Sequence, residues 1–129
     1  MIRSIFPVAA AALVAFAVPA QAAEVKKFTA SDFTAAQNAG KAIVVDVKAP
    51  WCPVCASQHK TIQSAIAADK YNKLTIFEVD YDTQKDVWRG LGVHKQGTLI
   101  AYKGKKEVSR LEFQTDKTQI NDLLAAAVN

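Results

Sequence analysis

The stretch AIVVDVKAPWCPVC (residues 42–55) determines the fold and contains both cysteines of the chain. Residues 42–47 are apolar except for Asp46 and rich in β-branched side chains, which predicts a buried central strand. Pro53 suits the first turn of a helix, because φ is already fixed and the missing N–H needs no partner there. A strand that leads into Cys-x-x-Cys at the start of a helix displays a reactive dithiol. Redox chemistry is therefore the leading hypothesis.

A structural disulfide is the alternative interpretation of the two cysteines. A bridge between Cys52 and Cys55 closes a loop of only four residues. Such a short loop removes little entropy from the unfolded chain, so the bridge adds little stability. Catalysis is therefore favoured over a structural role.

The N-terminal residues have the pattern of an export signal. Arg3 is the only charged residue before an apolar run at 8–18, and Ala20-Gln21-Ala22 supplies an A-x-A cleavage site. The run is shorter than the ~20 residues of a membrane span, although an uncleaved anchor is the alternative. We expect residues 1–22 to be a cleaved signal peptide and residues 23–129 to form one domain in a bacterial periplasm.

The charge pattern argues against nucleic acid as a partner. The chain has 16 Lys and Arg residues against 12 Asp and Glu, a formal net charge of +4. These basic residues are scattered, whereas a nucleic-acid interface clusters them on one face. No second apolar stretch approaches membrane length, so the mature protein is not expected to span the membrane, and nothing in the sequence indicates more than a monomer.

Hydrophobic periodicity along residues 23–129 predicts the element order β-α-β-α-β-α-β-β-α. Strands are expected at 42–47, 74–80, 98–102 and 107–113, and helices at 29–39, from Pro53 onward, at 83–91 and at 116–128. Strands that alternate with helices, followed by a closing hairpin, predict a mixed sheet covered by helices on both faces. The fold class is α/β.

With these elements in place, the chain resembles the thioredoxin family over nearly all of residues 23–129. The resemblance rests on Trp-Cys-x-x-Cys at 51–55 between the right strand and helix. Further matches are Gly92-Val93, Gly97-Thr98-Leu99 and the turn at 102–104. It implies a thioredoxin-like fold and a thiol–disulfide oxidoreductase with no cofactor beyond a redox-active Cys52–Cys55 disulfide.

The predicted helix start indicates different roles for the two thiols. Cys52 lies where free N–H groups and the helix dipole favour an anion, so we expect it to be the attacking thiolate, as the resemblance also implies. Cys55, one turn further on, is expected to be more buried and to resolve the mixed disulfide. By resemblance, Asp46 takes the proton of the resolving thiol, and burial would raise the pKa of its carboxyl towards neutrality. A solvated carboxylate at a strand edge is the alternative for Asp46.

The resemblance also indicates which residues contact substrate. Beside the thiols these are Trp51, Pro53 and Val54, although Trp51 as a plain core aromatic would have the same sequence signature. On the facing loop they are Gln96, Gly97 and Thr98. Gly97 stands where the family has a cis-proline, and a cis bond without proline costs about 3–4 kcal/mol, so we expect a trans bond.

Two other classes of function fit parts of the pattern. Two thiolates with His59 or His94 have the donor chemistry for copper or zinc, because His59 lies one turn beyond Cys55 and His94 lies in the facing loop. His59 also matches exported thioredoxin-like proteins of cytochrome c maturation, although their usual insertion is missing here. A non-catalytic adaptor is the third class. For the oxidoreductase, the expected partners are protein disulfides and a membrane thiol carrier as the electron donor.

Overall fold

The computed structural model describes residues 2, 4–5, 7–17 and 22–129. Its strands are β1 (Glu24–Lys27), β2 (Ala42–Lys48), β3 (Leu74–Asp80), β4 (Thr98–Lys103) and β5 (Lys106–Glu112). Its helices are α1 (Ala30–Asn38), α2 (Pro53–Ile66), α3 (Lys85–Gly90) and α4 (Lys117–Val128), with a short 3₁₀ turn at Asp69–Tyr71.

The N-terminal segment has no helix or strand at its described positions, 2, 4–5 and 7–17. No helix in the described ranges is both long and apolar enough to cross a membrane. Arg3 and residues 18–21 lie outside the described residues, so signal cleavage after Ala22 stays a prediction.

The five strands form one mixed sheet in the order β1-β3-β2-β4-β5. Strand β2 is central, pairing in parallel with β3 and antiparallel with β4, and β4 continues antiparallel into β5. Helices on both faces complete the architecture, so the predicted α/β fold class is confirmed. Because β2 is bonded on both sides, its C-terminal end is a fixed base for the cysteines that follow.

Two apolar cores lie on opposite faces of the sheet. Residues Ile43, Val45 and Val47 of β2 pack in the core that includes the aromatic side chains of α1 and α3. Val44 points the other way, into the core formed with α2 and α4. Since strand side chains alternate between faces, Asp46 shares the face of Val44, under α2 and α4.

The elements differ from the predicted ones mainly at their ends. Helix α3 begins at Lys85 instead of Thr83, because the N–H groups of Asp82 and Thr83 donate to Asp80 Oδ1 and close a turn first. Asp116 is the N-cap of α4, accepting from the Gln119 N–H, so the helix itself begins one residue later. These shifts leave the order of elements unchanged.

Candidate active site

The two cysteines form a disulfide at the N-terminus of α2. Their Cα atoms lie 5.2 Å apart. Cys52 is the N-cap, with extended backbone, and its Sγ accepts a hydrogen bond from the Cys55 N–H at 3.1 Å. Pro53 occupies the first turn, as its sequence position predicts. A donor aimed at Cys52 Sγ from a helix N-terminus stabilises a thiolate there once the disulfide is reduced.

The two sulfur-bearing side chains are equally buried, contrary to the expectation that Cys55 would be the less accessible. Cys52 is 3% exposed and Cys55 4%. Both pack with Ala49, and the half-buried side chains of Val54 and Tyr81 close over them. The sequence pattern missed this cover because Tyr81 arrives from the loop after β3, far away in the chain.

Trp51 lies at the surface beside the disulfide and not in the core. It is 56% exposed, and its indole N–H donates to Asp82 Oδ2 at 2.9 Å. Its ring meets Tyr81 edge-on, and Tyr81 in turn stacks on Trp88 with centroids 4.8 Å apart. This ladder of three rings fixes one wall of the site and ties it to the core.

Asp46 is a buried carboxyl at the centre of the sheet, only 5% exposed, and not a solvated strand-edge residue. Loss of hydration raises the pKa of Asp46 to about 7, with Lys48 opposing the shift and Glu78 adding to it. Within the described chain its Oδ1 has no hydrogen-bond partner. A carboxyl with such a pKa exchanges a proton near neutrality.

The charges around Asp46 form an ion pair that sequence reasoning missed. Lys48 Nζ lies 2.6 Å from Glu78 Oε2, and each side chain is 31% exposed. Glu78 is the cross-strand partner of Asp46 in β3. Desolvation lowers the pKa of Lys48, but the hydrogen bond and charge of Glu78 outweigh it and the pKa is raised. Lys48 is therefore a cation held close to Asp46 by Glu78.

The facing loop is held in a trans conformation at Gly97. The described chain contains no cis peptide bond, so the Gln96–Gly97 bond is trans, as predicted. The Gly97 N–H donates to Val47 O at 2.7 Å, a bond that proline cannot make. Gly97 has φ +78°, and an added Cβ would lie 3.2 Å from Phe113 Cδ2 and 3.3 Å from Val54 Cγ1.

The other predicted loop residues divide between surface and support. Gln96 is half-buried, whereas Thr98 has no exposed surface. The Thr98 hydroxyl donates to Lys95 O at 2.7 Å, which places this side chain behind the loop. On the opposing helix, Pro53 is exposed and Val54 half-buried. Thr98 thus supports the loop, and the other residues lie closer to the surface.

Gln58 connects the two halves of the site and was not among the residues predicted from the sequence. It is fully buried, and its side-chain N–H₂ donates to Gly97 O at 2.8 Å and to Gln114 O at 2.9 Å. The inward face of α2 runs through Cys55, Gln58 and Ile62, so the i+3 position points inward and His59 at i+4 is exposed. A polar residue at i+3 on an apolar helix face was the available signal.

Phe113 is the one non-glycine residue with positive φ in the described chain, at +56°. This left-handed conformation costs an aromatic residue about 1–2 kcal/mol. The Phe113 N–H donates to Gly97 O at 2.9 Å, which keeps the ring against the loop. The absent Cβ at Gly97 makes room for that ring.

The alternative metal set is not assembled. In the part of the chain that the structure describes, no three His, Cys, Asp or Glu side chains come together as ligands for one ion. His59 and His94 are both exposed, and both cysteine sulfurs are engaged in the disulfide. The helix directs Gln58, not His59, towards the facing loop.

A Cys-x-x-Cys pair at a helix start, on a mixed sheet with helices on both faces, defines a thiol–disulfide oxidoreductase. The chain belongs to the thioredoxin family, whose model, described as Thioredoxin, matches residues 24–126. As a member of that family it is an enzyme that acts on protein disulfides.

Individual relatives agree with this assignment. Thioredoxin-2 of Saccharomyces cerevisiae is 36% identical over 84 residues, 64% of this chain and 79% of the yeast protein. A thioredoxin of Mycobacterium bovis is 30% identical over 91 residues, 70% of this chain and 78% of that protein. The crystal structure of Trxlp from Edwardsiella tarda EIB202 aligns with a TM-score of 0.75 at 36% identity, covering 78% of this chain and 98% of that one.

Proposed function

We propose that this protein is a periplasmic reductase of protein disulfides that works through Cys52 and Cys55. The observation that carries the proposal is the Cys55 N–H aimed at Cys52 Sγ from the N-terminus of α2. This donor stabilises a thiolate at Cys52, which is therefore the proposed nucleophile. The exposed Trp51 and Pro53 beside it supply surface for a protein substrate.

The two residues between the cysteines support the direction of reduction. Pro53 and Val54 add no cation beside Cys52. Strongly oxidising dithiol proteins owe their high potential to a reduced form that is unusually stable. With less stabilisation of the thiolate, the disulfide form is relatively more stable, and the dithiol is a better electron donor.

The reaction proceeds through a mixed disulfide. The Cys52 thiolate attacks one sulfur of the substrate disulfide, an S–S bond forms, and the other substrate sulfur leaves as a thiolate. Cys55 then loses its proton and attacks Cys52 Sγ, which restores the Cys52–Cys55 disulfide and releases the second substrate thiolate. The substrate gains two electrons, and the protein loses two.

Asp46 is the proposed acceptor of the Cys55 proton. Its burial and its pKa of about 7 leave it able to hold that proton at neutral pH. It lies on the sheet face that α2 covers, on the strand that leads directly to the cysteines. We assign it the role of general base in the resolving step.

Each turnover leaves the protein oxidised, so the proposal requires an electron donor. Residues 1–22 are proposed to direct export, and the periplasm has no soluble nicotinamide supply. A membrane-embedded thiol carrier is the proposed donor, acting on a monomer.

Edman sequencing of protein recovered from a periplasmic extract tests the location. The expected N-terminus is Ala23, and full-length protein in the cytoplasmic fraction would contradict export.

The test of the reductase uses mature protein and two single variants. Wild type should reduce insulin with a dithiol donor. Its reduction potential should lie near that of thioredoxin, about −270 mV. Cys52→Ser should abolish turnover, while Cys55→Ser should accumulate mixed disulfides that mass spectrometry detects. Turnover by Cys52→Ser would refute the mechanism. A potential near about −120 mV would identify an oxidant instead.

A further inference from the structure

Two exposed aromatic side chains flank the dithiol from different sides. Trp51 is 56% exposed and precedes Cys52, while Phe113 is 38% exposed and contacts the Gly97 loop beside Val54. Among residues 23–129, Val25 is the only other large apolar side chain with comparable exposure. Exposed aromatic groups next to a reactive centre indicate a binding surface, since aromatic residues dominate binding energy at interfaces.

The position of Phe113 is matched to Gly97 in two ways. The Phe113 backbone has positive φ, where glycine is more readily accommodated, yet an aromatic residue stands there. Gly97 in turn leaves the space that the ring occupies, since a Cβ at 97 would lie 3.2 Å from it. Strained backbone of this kind concentrates at functional sites. The ring thus extends the substrate surface beyond the cysteines.

A cation lies over the Phe113 ring. Lys95 Nζ lies 3.6 Å from the centre of the Phe113 ring, and the lysine forms no ion pair within the described ranges. On the other side of the dithiol, the charged group beside Trp51 is the Asp82 carboxylate, which already accepts the indole N–H. The two aromatic side chains that flank the dithiol therefore have different charged neighbours, the Lys95 ammonium at Phe113 and the Asp82 carboxylate at Trp51.

We propose that Phe113 and Lys95 form a specificity surface that selects disulfides flanked by an apolar side chain and a carboxylate. The apolar side chain packs on the Phe113 ring, and the carboxylate pairs with Lys95. This assignment rests on the proposed reductase function and names its substrate class. Lys95 remains available for that pairing because a cation–π contact with the ring holds the ammonium in place without neutralising its charge.

Peptides with a single mixed disulfide to a chromogenic thiol test the assignment. Four peptides carry Leu or Ala on one side of the cysteine and Glu or Lys on the other, and kcat/KM is measured for each with mature protein. The wild type should prefer Glu over Lys by about fivefold, a typical size for one exposed charge pair. The preference should shrink at high salt, because exposed charges are screened.

Three variants separate the contributions. Lys95→Glu should reverse the Glu preference, and Phe113→Leu should reduce the Leu-over-Ala preference through KM. Lys105→Glu, in the exposed β4–β5 turn, makes the same change of net charge away from the site and should keep both preferences. Reduction of all peptides with a charge preference that Lys95→Glu leaves intact would overturn the specificity surface alone. No reduction of any peptide by wild type would instead overturn the reductase function.

Discussion

Asp46 and Gln58 lie buried in two regions next to the active site and differ in what their burial achieves. Asp46 belongs to the central strand, and Gln58 to the inward face of α2. Each has one side-chain oxygen without a hydrogen-bond partner in the described structure. Gln58 still donates two hydrogen bonds to backbone carbonyls, whereas Asp46 faces the loss of hydration with only the nearby Lys48 charge in its favour.

Burial of Asp46 lowers the stability of the fold at neutral pH, whereas burial of Gln58 raises it. Burying a carboxyl whose charged form is poorly stabilised destabilises the fold at neutral pH, and a proton-transfer role explains its retention. Burying an amide that satisfies two carbonyls stabilises the loop across the site. Similar burial therefore predicts substitutions with opposite effects on stability.

The largest expected effect belongs to Asp46→Asn. The pKa of Asp46 is raised from 3.8 to about 7, so the unfolded chain releases this proton at lower pH than the folded chain. The contribution of Asp46 to stability therefore falls as pH rises from about 4 to about 7 and then levels off. Removing the titration should stabilise the protein by about 4 kcal/mol above pH 7, with almost no gain at pH 3.

Urea unfolding of wild type and Asp46→Asn at several pH values measures this difference. The same variant should resolve mixed disulfides more slowly, because Cys55 loses its proton acceptor. An equal change in stability at pH 3 and pH 8 would show that packing, not ionisation, distinguishes the two proteins. That result would remove the contrast with Gln58.

Gln58→Leu should act in the opposite direction. Two carbonyl oxygens lose their donor, although Gly97 O keeps the Phe113 N–H, and the unpartnered amide oxygen also disappears. The expected net loss is about 2 kcal/mol in urea unfolding. Gln63→Leu, exposed on the same helix, is the matched control and should change stability by less than about 0.5 kcal/mol. A stable Gln58→Leu protein would contradict a supporting role.

Gly97→Ala tests the packing of the loop to which Gln58 donates a hydrogen bond. The positive φ and the contact with the Phe113 ring should together cost about 1–2 kcal/mol. In a Phe113→Gly background the ring is gone, so the same substitution should cost about 1 kcal/mol less. Thermal unfolding of the four proteins in this double-mutant cycle gives the coupling energy. Strict additivity would mean that the two positions are independent.

The smallest effect is expected at the solvent-exposed wall. Asp82→Asn keeps an acceptor for the Trp51 indole but removes the charge. The free energy of unfolding should change by about 0.5 kcal/mol or less, as at most exposed polar contacts. Tryptophan fluorescence should nevertheless shift, because the group beside the ring changes. A loss above about 2 kcal/mol would place this wall among the determinants of stability.

The predictable half of the site is the half built from neighbours in sequence. Cys52, Pro53 and Cys55 lie within one helical turn, so local rules for helix starts locate them. The central strand follows from an equally local pattern, whereas a buried Asp46 was expected only from the family resemblance. Gln58 and Phe113 act on a loop about 39 and 16 residues away, and spacing rules contain no information about such pairings.

The trans peptide at Gly97 also gives this site an observable signal. A proline at that position would have no amide proton, but Gly97 has one, bonded at 2.7 Å to the carbonyl of Val47. Its exchange with deuterium requires this hydrogen bond to the central strand to break, so the exchange rate reports how often the loop opens. A single resonance of this protein can therefore register substrate capture directly, as a slowing of exchange.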